Sequence, residues 1–134
     1  CGRSQGETLA AARSAVAAIR LLPDVIMPFP SGIVRSGSKV GSKYKPLKAS
    51  TSEKWCPSLR GQTETALLQD EQAVYEIVID GLSERAVAAA MSSGLKAAAD
   101  SSGVTRISAG NYGGKLGPHH FHLHQLEAES LLTS

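Results

Sequence analysis

The run Ala73–Asp80, AVYEIVID, is the feature that most limits how this chain can fold. β-Branched and aromatic residues fill it and turn-forming residues follow it, which predicts a β-strand. Ser83, directly after the strand, is a suitable N-cap for a helix. Four apolar residues recur at helical spacing in that helix: Val87, Met91, Leu95 and Ala98. A strand joined closely to a helix with one apolar stripe predicts a helix layer packed on one face of a sheet.

A second amphipathic helix is predicted near the start of the chain, over residues 7–22. Ser4 and Glu7 have capping-box spacing, although Thr8 is a competing N-cap. Pro23 ends this helix. Its apolar residues at helical spacing are Leu9, Ala12, Val16 and Ile19. The short apolar run 24–29 after it predicts a strand, and residues 33–35 either extend that strand or form another.

The rest of the chain predicts a long connection followed by two further strands. Residues 36–72 are rich in Gly, Ser and Lys, and connections of that length in compact domains are usually functional or disordered. Strands are predicted over residues 104–109 and near 120–126, with a Gly-rich turn between them at 110–117. Residues 127–134 are expected to be a tail, as a short helix or a frayed end.

The order of these elements predicts an α+β, ferredoxin-like two-layer sandwich. With one additional strand preceding the first helix, the first six elements read βαββαβ, the split unit of that fold. We therefore expect the sequence to be a fragment that lacks its first strand.

Charge and composition restrict the possible partners. The net charge of the 134 residues is only +2, which does not by itself suggest nucleic-acid binding. Two cysteines form neither a disulfide framework nor a metal quartet, and no apolar run is long enough to span a membrane. A cytoplasmic protein that binds neither membrane nor nucleic acid is the simplest interpretation. The connection is locally basic, however, which favours an anionic ligand over that stretch or else gives a solvated loop.

The segment GIVRSGSKVGSK, residues 32–43, is similar to a phosphate-binding loop but has the wrong order. Gly32 and Gly37 are correctly spaced, yet Ser38 stands where the loop requires lysine and Lys39 where it requires a hydroxyl. Nucleotide binding is therefore not expected. The backbone N–H groups of such a segment can still bind another anion, and the alternative is a solvated surface loop.

Glu76 is the most informative single residue in the predicted strands. Strand alternation places its carboxylate between Val74 and Val78 on one face. Burial of that face would favour a protonated acid that can donate a hydrogen bond or a proton. From the residues alone, a glutamate that is paired across the sheet with a lysine, or that lies on an exposed edge, is the simpler interpretation.

Two other groups of residues suggest chemistry more weakly. His120, His122 and His124 share one face if they lie in a strand, and such alternating histidines can bind zinc. A polar strand whose Phe121 faces the core is the simpler interpretation. Cys56 shows no feature of a reactive thiol and is expected to be a packing residue beside Trp55.

Three segments together closely resemble one enzyme family: MPFPSGIVRSGSKVGSKYKPLKASTSEKWCPSLR, AVYEIVIDGL and RISAGNYGGKLG. The family is formylmethanofuran:tetrahydromethanopterin formyltransferase, and the resemblance runs from about Gly6 to Leu126. The chain resembles the C-terminal, proximal lobe of that enzyme, with residues 1–126 as the lobe and 127–134 as its tail. The ending HHFHLH is similar to the bacterial branch of the family.

The resemblance implies an N-formyltransferase of one-carbon metabolism, which moves a formyl group between the methanofuran amine and N5 of tetrahydromethanopterin. Both molecules are then carrier substrates, and neither a further cofactor nor a metal is implied. Glu76 matches the family's catalytic glutamate. A homo-oligomer and, in bacteria, a complex with hydrolase subunits are implied as well. The substrate-binding residues expected around Glu76 are Arg35, Ser36, Ser38, Lys39, Lys43, Asn111 and Lys115.

A stand-alone ferredoxin-like module that binds an anion or regulates another protein is the alternative. RNA binding through the sheet is disfavoured because the strands carry no paired aromatic motif.

Overall fold

A computed structural model gives the structure of residues 1–35, 53–61, 64–110 and 117–132. These residues form a mixed α+β fold. The helices are α1 (Gln5–Ile19), α2 (Glu84–Ala99) and α3 (Leu123–Leu132). The strands are β1 (Val25–Ile26), β2 (Val34–Arg35), β3 (Tyr75–Glu76) and β4 (Asp80–Gly81), and 3-10 turns lie at Pro30–Gly32, Glu53–Trp55 and Pro57–Leu59.

The first two helices have the N-caps that the sequence suggests, although α1 spans Gln5–Ile19 and not the predicted residues 7–22. Ser4 is the N-cap of α1: its hydroxyl accepts a hydrogen bond from the Glu7 N–H at 3.2 Å and donates to the Glu7 carboxylate at 3.0 Å. Ser83 is the N-cap of α2, and its hydroxyl accepts from the Ala86 N–H at 3.1 Å. Each hydroxyl satisfies an amide that has no partner within its own helix, which fixes the start of the helix.

The helices α1 and α2 pack closely at one glycine. A Cβ atom added to Gly94 of α2 would lie 2.8 Å from Cδ1 of Ile19, near Ala15. Ile19 is 2% exposed, and Ala12 and Val16 are also buried, as the apolar stripe of α1 predicts. Leu9, the remaining residue of that stripe, is only half-buried. The lack of a side chain at Gly94 therefore allows the two helix backbones to approach each other.

The four strands form two short antiparallel ladders. Val25 pairs with Gly81 and Ile26 with Asp80, while Val34 pairs with Glu76 and Arg35 with Tyr75. Between the ladders, residues 27–33 lie opposite only residues 77–79. Segment 27–33 is the longer of the two, and the turn Pro30–Gly32 lies within it. Ser31 and Gly32 in this turn have φ values of 60° and 76°. The predicted strand 73–80 is thus two short strands.

Gly2 joins parts of the chain that are distant in sequence. It forms antiparallel bridges to both Ala73 and Val104. The Gly2 N–H donates to the Ala73 carbonyl, and the Arg3 N–H donates to the Gly103 carbonyl, both at 3.0 Å. Residues 1–3 therefore lie between the segment that leads into β3 and the segment that follows α2.

Two other predicted strands are not formed. In the segment 104–110 only Val104 forms a strand bridge, to Gly2, while the Thr105 N–H donates to the Cys1 carbonyl and the Arg106 carbonyl accepts from the Cys1 amino group. The predicted strand near 120–126 is a helix from Leu123 onward, and this helix continues through the expected tail to Leu132. Leu126 of α3 is 7% exposed, so burial of a helix face replaces the expected alternation. None of the helices in the described residues is long and apolar enough to cross a membrane.

Candidate functional site

A cavity of about 810 Å³ lies beside α1, α2 and the strand run of residues 74–82. Its volume falls within the range of small-molecule sites. Apolar side chains line most of it, and polar groups enter at Thr8, Ser108 and His119. The cavity also borders residues 107–110. It therefore lies between two stretches of chain, the one that follows Ala73 and the one that follows Val104. Among the described residues, neither 77–79 nor 107–110 belongs to a strand.

The apolar stripe of α2 faces this cavity. Val87, Met91, Leu95 and Ala98 all line it, and each is only half-buried. The buried residues of α2 are instead Ala90 and Gly94. Periodicity thus predicted the inward face of α2 correctly but not the open space beside that face, because periodicity contains no information about what an apolar face contacts.

Glu76 lies on β3, directly opposite Val34, and its side chain lines the cavity. Glu76 is half-buried, whereas Val74 is 7% exposed. A carboxyl group in this setting has apolar neighbours on its own strand and borders the open space beside that strand. Such a group can donate, accept or transfer a proton at a bound molecule.

The end of the strand run lies against α2: a Cβ atom added to Gly81 would lie 2.6 Å from the Val87 side chain. Consecutive residues from Val74 to Ser83 all line the cavity, which therefore reaches both sides of the strand run.

Arg35 is placed away from Glu76. It pairs with Tyr75, so alternation puts the two charged side chains on opposite sides of the ladder. Arg35 is exposed and is not among the residues that line the cavity. The other substrate-binding residues predicted from the sequence lie outside the described residues: Ser36, Ser38, Lys39, Lys43, Asn111 and Lys115.

A buried ion pair that sequence reasoning missed lies beside the cavity. The side chain of Glu71 is fully buried, and its two carboxylate oxygens accept hydrogen bonds from Nε and Nη2 of Arg106 at 2.9 and 2.7 Å. The Thr105 hydroxyl and the Leu68 N–H also donate to the Glu71 carboxylate, at 3.0 and 2.7 Å. Arg106 donates further to the Ala66 carbonyl at 2.6 Å.

These contacts determine the charge state of Glu71. Burial by itself would raise the pKa of Glu71, but the hydrogen bonds from Arg106, the Leu68 N–H and Thr105 more than offset burial and hold the pKa below its usual value. The carboxylate is therefore charged at neutral pH. The cluster attaches residues 66–71 to the segment that carries Arg106. An arginine inside an apolar strand pattern, VTRISA, was the only sequence signal for it.

Arg106 and Arg60 extend this cluster toward the connection. The Arg106 guanidinium lies 4.8 Å from the centroid of the Trp55 ring, and Trp55 lines the cavity. Arg60 donates to the carbonyls of Leu68, Gln69 and Glu71. The end of the long connection is thus held by two arginines.

The histidines and cysteines do not assemble a site in the described residues. His122 and His124 have ring centroids 5.9 Å apart at the start of α3, and the strand that would align them with His120 is not formed there. His119 contacts Glu84, with Nδ1 3.3 Å from a carboxylate oxygen. No group of three metal-binding side chains occurs in the part of the chain that is described. Cys56 is 3% exposed with Sγ 3.1 Å from the Ser58 hydroxyl, as expected of a packing residue.

The fold and the site together define a class: an α+β lobe in which a strand glutamate borders an apolar cavity. Residues 1–126 match the family described as the FTR proximal lobe, and the chain belongs to that family. This confirms the resemblance found in the three sequence segments.

Individual relatives agree with the family match. The chain is 57% identical over 128 residues to the formylmethanofuran–tetrahydromethanopterin formyltransferase of Methylococcus capsulatus and 50% identical over 136 residues to that of Rhodopirellula baltica. These alignments cover 93% and 99% of this chain but only 43% and 41% of the relatives. The chain therefore spans about two fifths of the length of the curated relatives it matches.

Solved structures of the family share the fold. The formyltransferase of Methanosarcina barkeri matches with a TM-score of 0.82 at 54% identity, over 93% of this chain and 43% of that one. A formyltransferase/hydrolase complex from Methylorubrum extorquens, solved with methylofuran, matches with a TM-score of 0.79 at 48% identity, over 93% and 42%.

Proposed function

We propose that the protein containing this chain is an N-formyltransferase of one-carbon metabolism. It moves a formyl group between the amine of methanofuran and N5 of tetrahydromethanopterin. The observation that carries the proposal is Glu76: the residue expected to be catalytic lies on β3 at the border of an apolar cavity, within a lobe of this family.

The chemistry explains why a carboxyl group is needed there. In the direction from methanofuran to the pterin, N5 attacks the formyl carbon and a C–N bond forms. The carbon–oxygen double bond opens to an oxyanion, which re-forms the double bond as the bond to the methanofuran nitrogen breaks. The proton released by N5 must reach the leaving amine. Glu76 can take up the proton that N5 releases; its carboxyl then donates a hydrogen bond to the oxyanion or delivers that proton to the leaving nitrogen, and both actions lower the barrier.

Glu76→Gln separates these two actions in the intact protein that contains this chain. The amide still donates a hydrogen bond but cannot transfer a proton, so we expect kcat to fall about 100-fold or more. Binding of each carrier, measured by calorimetry, should change less than about threefold because an amide has nearly the same shape. Glu76→Ala should lose at least as much activity as Glu76→Gln.

The matched control is Glu64→Gln. Glu64 is exposed on the connection and pairs with Lys54 at 3.2 Å, so the same chemical change is made away from the cavity. Turnover of this variant should equal that of the wild type. Near-normal turnover of Glu76→Gln would show that Glu76 transfers no proton, and near-normal turnover of Glu76→Ala as well would show that Glu76 has no catalytic role.

The lobe is proposed to complete a ferredoxin-like sheet. Gly2 pairs with Val104 on one side and with Ala73 on the other, both in antiparallel fashion. β3 begins two residues after Ala73 and pairs with β2. The order of neighbours is therefore Val104, Gly2, Ala73 with β3, and β2. This is the neighbour order that a βαββαβ unit requires. An extended segment that continues the line of Gly2 would fill the cavity between 77–79 and 107–110 as the central strand. In the completed sheet Glu76 lies on the face opposite α2.

The remaining site residues are proposed to bind the anionic groups of the carriers. The positive charge for these anionic groups comes from Arg35, Lys39, Lys43 and Lys115, and neutral hydrogen-bond donors come from Ser36, Ser38 and Asn111. We also propose a cytoplasmic homo-oligomer that assembles with hydrolase subunits. The M. extorquens relative is part of a formyltransferase/hydrolase complex, which supports that partner.

A further inference from the structure

We propose that the turn Pro30–Gly32 keeps Glu76 in its working position and that Gly32 is the positioning residue. The inference rests on the proposed function, because the catalytic role of Glu76 belongs to it. The segment that contains the turn pairs with the strand run before and after residues 77–79. Beyond the turn, pairing resumes at Val34, which lies directly opposite Glu76. The shape of the turn therefore sets the position of the strand that pairs with Glu76.

The backbone of the turn is unusual at two successive residues. Ser31 has φ 60° and ψ 6°, and Gly32 has φ 76°, so both lie in the left-handed region that residues other than glycine seldom adopt. The Gly32 N–H closes the turn by donating to the Phe29 carbonyl at 2.8 Å. Unfavourable backbone conformations persist where surrounding contacts impose them, and they are concentrated near functional sites. Extra residues inserted into strand pairing are also frequent next to active sites, where they re-aim a side chain.

Contact with α1 imposes the conformation at Gly32. Gly32 is buried, and a Cβ atom added to it would lie 3.0 and 3.1 Å from the two Cγ atoms of Val16 and 3.2 Å from Sδ of Met27. Val16 is 4% exposed and belongs to the buried face of α1. The glycine thus allows the turn to pack against α1, and the chain enters β2 from that fixed point. A side chain at position 32 would displace the turn and, with it, Val34.

Displacement of β2 matters for catalysis because a carboxyl group transfers a proton only within hydrogen-bond reach of the reacting atoms. A misplacement of about 1 Å can lower a rate about 100-fold. Neither Ser31 nor Gly32 is proposed to contact a carrier. Changes in the turn should therefore lower kcat and leave carrier binding nearly unchanged.

Gly32→Ala tests the proposal in the intact protein that contains this chain. We expect kcat to fall about tenfold, while the calorimetric affinity for each carrier changes less than about threefold. Gly61→Ala is the matched control: Gly61 has φ 81°, and apart from its chain neighbours no atom of the described residues lies within 4 Å of an added Cβ. This control introduces the same backbone strain in an exposed turn of the connection, and its turnover should equal that of the wild type.

Ser31 provides a second pair of variants that does not depend on the buried contact. Ser31 is exposed, so Ser31→Val adds a β-branched side chain that strains the left-handed backbone without entering the core. It should lower kcat in the same way as Gly32→Ala, whereas Ser31→Gly, which relieves the strain, should stay within about twofold of the wild type. Unchanged turnover in both Gly32→Ala and Ser31→Val would overturn the proposal.

Combination with Glu76→Ala distinguishes positioning of Glu76 from a general effect on folding. Without the carboxyl group the turn has nothing to position, so Gly32→Ala should add less than about twofold to the loss caused by Glu76→Ala. Losses that multiply would show that Gly32 does not act through Glu76 and would overturn the proposal. A wild-type protein that transfers no formyl group would overturn the proposed function itself. Normal wild-type transfer together with fully active turn variants would overturn this inference alone.

Discussion

Glu71 illustrates how a buried charge can hold a long surface connection in place. Moving a carboxylate out of water is costly unless other groups replace its hydration. Here Arg106, Thr105 and the Leu68 N–H supply four hydrogen bonds, and Glu71 has no exposed surface. Thr105 and Arg106 lie more than thirty residues from Glu71 in the sequence, whereas Leu68 lies three residues before it. The pair therefore joins the connection to the segment after α2.

Replacing Glu71 by Gln should destabilise the protein by about 3 kcal/mol at neutral pH, because removal of one charge leaves Arg106 without its partner. The pH dependence follows from the lowered pKa of Glu71. Since the folded pKa lies below the unfolded value of 4.5, the stabilisation is complete above that value and disappears as the pH falls through the folded pKa. Denaturant unfolding at pH 7 and at lower pH measures it.

The expected result is that wild type and Glu71→Gln converge in stability as the pH falls below about 4.5. Asp70→Asn is the control, since Asp70 is exposed and its contact with Arg3 is weak. A constant difference between wild type and Glu71→Gln across this pH range would show that the charge of Glu71 does not stabilise the fold.

At the scale of elements, the packing of α1 on α2 depends on one position without a side chain. The space next to Gly94 is occupied by Ile19, which is almost fully buried. A glycine within a helix costs about 1 kcal/mol relative to alanine. The close approach of the two helices explains why a glycine occupies position 94 despite this cost.

Gly94→Val should therefore lower the free energy of unfolding by about 1–3 kcal/mol, because the new methyl groups overlap Ile19. Gly6→Val is the matched control: Gly6 is exposed in the first turn of α1, and apart from its chain neighbours and the adjacent backbone of α1, no atom of the described residues lies within 4 Å of an added Cβ. That variant should be neutral or slightly stabilising. Equal effects of the two substitutions on thermal unfolding would show that α1 and α2 can separate without cost.

The last element shows the limit of reading periodicity over a short window. The segment HFHLH alternates polar and apolar residues, which is typical of a strand. The structure makes Leu123–Leu132 a helix, and its residues Leu, Gln, Glu and Ala are strong helix formers. Contact between α3 and α2 buries Leu126 and decides between the two patterns.

At the scale of the whole molecule, the arrangement of the sheet depends on pairings across most of the sequence. Gly2 bridges Ala73 and Val104, and a Cβ atom added at Gly2 would overlap the Thr8 hydroxyl. The stretches that continue from Ala73 and Val104 then border the cavity. If an extended segment fills it as a central strand, both stretches acquire backbone partners.

Amide hydrogen exchange in the intact protein tests this arrangement. Exchange at residues 77–79 and 107–110 should be slow, as it is for amides paired within a sheet. Gly61, an exposed turn residue in the connection, serves as the fast-exchanging reference. Exchange as fast as that of Gly61 in both stretches would mean that no strand occupies the cavity.

Local structure and family membership follow from the amino-acid sequence alone. Ser4 and Ser83 mark the starts of α1 and α2 because capping is a contact between near neighbours. The three motifs identify the family, and the alternation around Glu76 indicates its unusual position. Three-dimensional contacts were needed to establish that the apolar stripe of α2 faces a cavity, that α3 is a helix, and that Glu71 meets Arg106. These features depend on packing and hydrogen bonds between distant residues, which no local pattern contains.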